Sequence, residues 1–153
     1  MEKGIHFDKT LQGSGLRVGI VVARWNEECT SALEQQVIAG LSNRGVTQED
    51  IVRCSVPGSY ELVHGATMLI EKEQVGVVIP IGVLIKGETM HFEYIAEAVS
   101  HGFMALQLAK NIPIIFGVLT CLTQEQALVR SVGDKSHGDA WAATAIEMGL
   151  LAR

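Results

Sequence analysis

Cysteine is scarce and poorly placed for structural work: Cys29, Cys54 and Cys121 are odd in number and far apart. No pair has zinc-ligand spacing, and three scattered thiols make no disulfide framework, so reduced thiols in a cytoplasmic setting are expected. Charge is sparse too, at 19% of residues, and it sums to −5, which gives no electrostatic reason to bind nucleic acid or an anionic membrane. No apolar run reaches the ~18 residues of a membrane span, because Gly, Lys and Glu interrupt each one. The amino terminus, MEKGIHFDKT, lacks the apolar centre of a secretion signal, and its acidic residues do not suit a transit peptide. Repeats, low-complexity tracts and domain linkers are also missing.

Several motifs are absent as well. No G-x-G-x-x-G follows the first apolar run, so dinucleotide binding has no fingerprint, and no G-x-S-x-G elbow occurs. His64, His91, His101 and His137 make no H-E-x-x-H pair, and no metal site is expected. The run from Gly82 to Thr89 comes near the phosphate loop G-x-x-x-x-G-K-[ST]. However, Glu88 stands where the phosphate-neutralising Lys should be, and the spacer reads as strand. A nucleotide triphosphatase is excluded on that ground.

What remains is a chain of 153 residues, 48% of them hydrophobic, enough for one well-buried domain spanning 1–153. Residues 1–16 carry three Gly and no sustained period, so they read as an arm that can add a strand to a neighbouring subunit or fray. Arg17–Ala23, Ile51–Val56, Val75–Ile85 and Pro113–Leu119 are short β-rich runs. Helical patterns follow them: from Asn26, a candidate N-cap, to about Arg44; from Ser59 to about Glu71; from about Met90 onward; and from Thr123, another candidate N-cap, to about Arg130. Residues 131–137 form a polar hinge before a last helix over 139–151. This alternation predicts an α/β, three-layer, doubly wound sandwich on a four-stranded parallel sheet. On the third helix, Ile95, Ala98, Val99, Gly102, Leu106 and Ala109 make one apolar stripe. Phe92, Ala96, Phe103 and Met104 widen it, which predicts a subunit interface.

The third strand and its helix are where chemistry is expected. A strand-to-helix turn at Lys86–Thr89 puts backbone N–H groups and a helix N-terminus at the carboxyl edge of the sheet, where anions are favoured. His91 stands at that mouth and carries imidazole, the usual proton shuttle near neutral pH. Pro57-Gly58-Ser59-Tyr60-Glu61 is a turn able to bind hydroxyls, or simply a capping turn. Trp25 ends the first strand, at either a ligand site or the core, and Arg130 ends a helix whose dipole it can complement.

Six blocks in order carry a resemblance: Ala23-Arg-Trp-Asn26, Val56-Pro-Gly-Ser-Tyr-Glu61, Gly82 through Tyr94, Phe116-Gly-Val-Leu-Thr120, Glu125-Gln-Ala127 with Arg130, and Ala145-Ile-Glu-Met148. From Arg17 onward the chain resembles the lumazine synthase family. Trp25 and the His137-Gly-Asp-Ala-Trp141 segment resemble its fungal branch most. The resemblance implies a flavodoxin-like strand order 2-1-3-4. It also implies a transferase of riboflavin biosynthesis that condenses 5-amino-6-(D-ribitylamino)uracil with 3,4-dihydroxy-2-butanone 4-phosphate, with no metal or organic cofactor.

Residue by residue, the resemblance makes His91 the proton-transfer group, and Trp25 with Asn26 the turn that stacks on the pyrimidine. Ser59, Tyr60 and Glu61 would hold the ribityl chain, and the backbone of Val83, Leu84 and Ile85 would read the pyrimidine edge. Gly87, Glu88 and Thr89 would hold the phosphate with Arg130 and His137, and Phe116 would come from an adjacent subunit. Partners would be copies of the same chain, as a pentamer or a 60-subunit shell of pentamers. Glu88 stands where many relatives carry a small residue, so its carboxylate must point away from phosphate. Two other outcomes share this resemblance: a lumazine- or flavin-binding shell protein without catalysis, and a riboflavin synthase of the archaeal kind.

Overall fold

The structure is a computed structural model and describes residues 4–153; the first three residues of the expected arm lie outside it. Four strands, β1 (Val18–Ala23), β2 (Ile51–Val56), β3 (Val77–Ile85) and β4 (Gly117–Cys121), alternate with five helices. The helices are α1 (Glu27–Asn43), α2 (Leu62–Glu73), α3 (His91–Lys110), α4 (Gln124–Ser131) and α5 (Gly138–Leu151). The sheet is wholly parallel, in the order β2-β1-β3-β4. Side chains alternate across each strand, and the sheet therefore builds two cores. Val18, Ile20, Val77, Ile79 and Ile81 pack against Leu33, Val37 and Leu41 of α1 and Ala142, Ala145 and Ile146 of α5. Val21, Ala23 and Val78 pack on the other face against Leu62, Ala66 and Leu69 of α2 and Val99 and Phe103 of α3. This is the doubly wound, three-layer sandwich that the alternation predicts. Among the described residues, no helix is long and apolar enough to cross a membrane.

Beyond shifts of two or three residues at element ends, such as β3 beginning at Val77 and α2 at Leu62, three features differ from the sequence reading. Residues 11–16 are anchored rather than free: Leu16 is buried in the core, Leu11 packs against it, and the Gly13 N–H donates to the Arg44 carbonyl at 2.7 Å. On α3 the inward side chains are Val99 and Phe103, with Ile95 and Leu106 half-buried, whereas Ala98 and Ala109 are exposed. Phe103, which in the sequence only widens the stripe, is buried in the core. A helix apolar almost all round gives the periodicity no single direction to report.

The fourth strand is the third case. Apolar residues run from Pro113 to Leu119, yet the ladder forms at Gly117–Cys121, preceded by a lone bridge between Val78 and Ile114. Between them the Gly117 N–H turns back to the Ile115 carbonyl at 2.8 Å. That kink throws Phe116 outward, to lie edge-on against Phe103 with ring centroids 6.2 Å apart. Hydrophobicity marks a buried segment and says nothing of where its hydrogen bonds lapse.

Gly117 makes the re-entry possible, because a Cβ there would lie 2.2 Å from the Pro80 carbonyl oxygen. Backbone cannot move aside cheaply, so Gly117→Ala is expected to cost at least about 2 kcal/mol of stability. Thermal and denaturant unfolding check this, and a variant as stable as wild type would contradict the approach.

Candidate active site

The site follows from two neighbouring strands that part company. The β1–β3 ladder ends at Val22 with Ile81, while β3 continues, paired with β4, to Ile85 with Cys121. Beyond Ala23 the chain stays with the β2 side: the Arg24 N–H donates to the Val56 carbonyl at 3.0 Å and the Trp25 N–H to the Pro57 carbonyl at 3.3 Å. Asn26 then adopts a left-handed conformation, φ 60°, and α1 departs. A crevice is left at the carboxyl ends of β1 and β3, where the strand order reverses, the usual ligand position in open α/β sheets.

That crevice is a cavity of about 620 Å³ lined by Trp25, Asn26, Gly58–Glu61, Val83–Ile85, His91 and Ile95. The structure therefore brings together Trp25, Asn26, Ser59, Tyr60, Glu61, Val83, Leu84, Ile85 and His91, all singled out in the sequence. Gly58 joins them as part of the Pro57–Glu61 turn, and Ile95, read in the sequence only as part of an apolar stripe, joins them unforeseen. Trp25 is 73% exposed, with its edge packed on Gly58, where a Cβ would meet its Cδ1 at 3.0 Å. Glu61 turns one carboxylate oxygen back to accept the Gly58 N–H at 3.0 Å, which fixes the turn.

Ser59 is only 4% exposed, yet its hydroxyl has no partner. A buried hydroxyl left unpaired typically costs about 1–3 kcal/mol, which makes it a waiting contact for a polar ligand. Asn26 holds the N-cap position that the sequence predicts but makes no cap bond; its amide instead donates to the Val83 carbonyl at 2.8 Å. The left-handed backbone aims the side chain across the crevice rather than along the helix. His91 is the first residue of α3, and its imidazole is exposed at the cavity.

The turn over 86–90 is held from both sides. The Lys86 amide donates to the Cys121 carbonyl at 2.9 Å, and its ammonium pairs with the Glu93 carboxylate and reaches the Thr89 carbonyl at 3.4 Å. Its hydrogen bond from Lys86 holds Glu93 below the usual carboxylate range. Gly87, Glu88 and Thr89 are exposed beside the cavity mouth, and among the described residues Glu88 has no hydrogen-bond or ion-pair partner. With Lys86 neutralised, no Lys or Arg lines the cavity.

Cationic groups gather elsewhere. Arg130 and His137 lie in a groove with Lys135, Glu125 and Gln126, adjoining a second groove that holds Phe116 and Trp141. Phe116, Arg130 and His137 thus do not meet the other expected site residues within one chain. Burial first, and the Arg130 charge second, push the His137 imidazole below its ordinary value, so near neutrality Arg130 and Lys135 are the groove's cations. Lys135 went unnoticed in the sequence, although a Lys in a polar hinge two residues before His137 was the signal to follow. Burial raises the Cys54 and Cys121 thiols, which disfavours their thiolate forms. Among the described residues, no group of three His, Cys, Asp or Glu side chains is placed to hold a metal ion.

Residues 15–153 match the family model described as 6,7-dimethyl-8-ribityllumazine synthase. A protein of that name from Schizosaccharomyces pombe is 46% identical over 145 residues, covering 93% of this chain and 91% of its own length. Similar proteins of the same name occur in Pyricularia oryzae, 41% identical over 92% of this chain and 90% of the relative, and in Flavobacterium psychrophilum, 41% identical over 95% and 79%.

Because the Ser59 hydroxyl is unpaired in the free protein, Ser59→Ala is expected to hold or raise the unliganded melting temperature, by up to several degrees as the buried polar group is removed. A fall of several degrees would show that the hydroxyl already has a partner.

Proposed function

The chain belongs to the 6,7-dimethyl-8-ribityllumazine synthase family, and on that footing we propose how its cavity condenses 5-amino-6-(D-ribitylamino)uracil with 3,4-dihydroxy-2-butanone 4-phosphate, a step of riboflavin biosynthesis. The observation that carries the reading is the meeting of an exposed aromatic face, an unpaired buried hydroxyl and an exposed imidazole in one crevice.

The pyrimidine stacks on Trp25, a contact worth about 0.5–1.5 kcal/mol beyond the area it buries. Its polar edge meets backbone. In a parallel strand successive residues direct their N–H and C=O groups to opposite sides. The Val83 carbonyl faces the β1 side, as its bond from Asn26 shows, so Ile85 faces that side too, past the point where β1 has ended. The ribityl hydroxyls lie over Ser59 and the free oxygen of Glu61, beside the Tyr60 ring.

The reaction needs no electron carrier. The 5-amino group attacks the ketone to give an imine with loss of water, phosphate leaves by elimination, the chain tautomerises, and the ribitylamino nitrogen closes the ring with loss of a second water. Every step moves protons, and His91 is the imidazole at the cavity that can deliver and remove them. Such general acid–base help is typically worth ~10²–10⁴ in rate. Holding the two reactants together supplies much of the rest.

The phosphate sits on the Gly87–Thr89 backbone at the N-terminus of α3, with the Glu88 carboxylate turned to solvent. A dianion there needs a cation that its own chain's cavity lacks. Arg130 and Lys135 of a second copy supply it, with Phe116 of that copy closing the mouth and His137 lying behind Arg130. Tyr94, Met104 and Leu108 on α3 and Phe116 and Leu122 around β4 are large apolar side chains left exposed, a surface suited to that contact. The assembly is at least a pentamer, and the reaction takes place in the cytoplasm without metal or organic cofactor.

Purified protein given both substrates is expected to release phosphate and form the lumazine; no release would leave only a binding protein. His91→Ala should lower kcat about 10²-fold or more with little change in pyrimidine binding. Arg130→Ala should raise KM for the butanone phosphate, as charge-assisted contacts to phosphate are strong ones. Unfolding and reassembling the two variants together at equal amounts tests the shared site. Random mixing restores about a quarter of the interfaces to full composition, so activity should recover to that order. No recovery would place Arg130 in the same chain's site.

A further inference from the structure

Asn26 carries two features that neither stacking nor capping explains. It is a non-glycine residue at φ 60° and ψ 51°, and its side-chain amide crosses the crevice to the Val83 carbonyl, 57 residues away in sequence. Extending the β1–β3 register by two residues beyond Val22 and Ile81 would set Arg24 opposite Val83. Arg24 and Trp25 instead bond to the β2 side, so no strand backbone faces the Val83 carbonyl. The Asn26 amide occupies the place that a continued strand would have filled. Trp25, the preceding residue, is held by this same turn.

We propose that Asn26 is a positioning residue for the pyrimidine: its amide caps Val83, leaving Ile85 as the backbone edge that meets the ligand, and its left-handed turn sets the Trp25 ring over the crevice. This rests on the reading that the cavity takes the pyrimidine. One of its two amide N–H groups is spent on the Val83 carbonyl, and the role we assign to Asn26 acts through Val83 and Trp25 rather than through the second N–H or the side-chain oxygen.

Three substitutions separate this role from a direct contact. Asn26→Gly keeps the left-handed backbone and removes the amide. Asn26→Asp keeps the shape and tolerates the conformation but sets an acceptor against the Val83 carbonyl. Asn26→Ala loses the amide and strains the backbone, and its lower melting temperature would report that strain.

With the butanone phosphate saturating, Asn26→Gly should raise the pyrimidine KM roughly tenfold, the scale of one hydrogen bond, while kcat stays within about threefold because His91 is untouched. Asn26→Asp should raise the pyrimidine KM further than Asn26→Gly. The reverse order, Asp milder than Gly, would mean that the side-chain oxygen binds substrate directly, and it would overturn the proposal. So would an unchanged KM in Asn26→Gly.

A ligand-free readout keeps the test independent of the reaction. Acrylamide quenching of tryptophan emission, dominated by exposed Trp25 rather than buried Trp141, should differ between Asn26→Ala, which strains the left-handed turn, and wild type. Equal quenching would also overturn the proposal. If wild type itself shows no turnover with both substrates, the functional reading fails, and the quenching result alone decides whether Asn26 sets the turn.

Discussion

The structure turns on a mismatch of four residues along β3, whose ladder with β1 stops at Ile81 while its ladder with β4 runs to Ile85. β1 and β3 lie side by side at the centre of the sheet, but β1 leaves toward β2 while β3 runs on beside β4. Backbone hydrogen bonds at the middle of a sheet are otherwise satisfied strand to strand, and a strand that stops short leaves its neighbour's groups exposed. Here that exposure is partly closed by the Asn26 amide and partly left open beyond it, and the open part is the floor of the cavity. The aromatic wall, the Gly58–Glu61 turn and the helix carrying His91 all reach the crevice because each follows a strand that ends at this same edge of the sheet.

Charge divides the site in two. The crevice of one chain holds an aromatic face, hydroxyl-binding groups and imidazole, but its nearby lysine is neutralised by Glu93. The free cations stand on the other side of β4, on α4 and the hinge after it. Two half-sites, one fit for a neutral heterocycle with a polyol and one fit for phosphate, suit a reaction that joins those two kinds of molecule. The apolar surface of α3 and the outward turn of Phe116 lie between them, so the contact that would cover the exposed side chains would also complete the chemistry. On the proposed reading, activity is tied to assembly.

Much of the fold was legible in the sequence, and the reasons are physical. β1 and β3 are buried on both faces, so they appear as apolar runs rich in Val and Ile, and Ile51–Val56 was bounded correctly by Pro57-Gly58. Thr123 behaves as the predicted cap, accepting the Gln126 N–H at 3.2 Å. What hydrophobicity could not show was where ladders break: the kink before Gly117 depends on a backbone contact with Pro80, which no composition records. The strand order came from resemblance, since alternation alone permits several orders. Within the site, the positions of His91, Trp25 and the Ser59 turn at the carboxyl edge of the sheet were legible because each lies in a segment that follows a strand, whereas their joining in one cavity was implied by the resemblance. The role of Asn26 was not legible, because its partner Val83 is distant in sequence, and Lys135 was hidden because a lysine in a polar hinge looks like any solvated charge.

The most direct measurement is a crystal structure of the assembled protein with a ribityl-bearing pyrimidine bound. The ring should lie on the Trp25 face with its polar edge against Ile85, the ribityl chain over Ser59, and the His91 imidazole facing the 5-position. Arg130 of a second copy should face the 87–89 turn. A pyrimidine bound elsewhere, or an imidazole turned away from it with no second copy at the mouth, would contradict this.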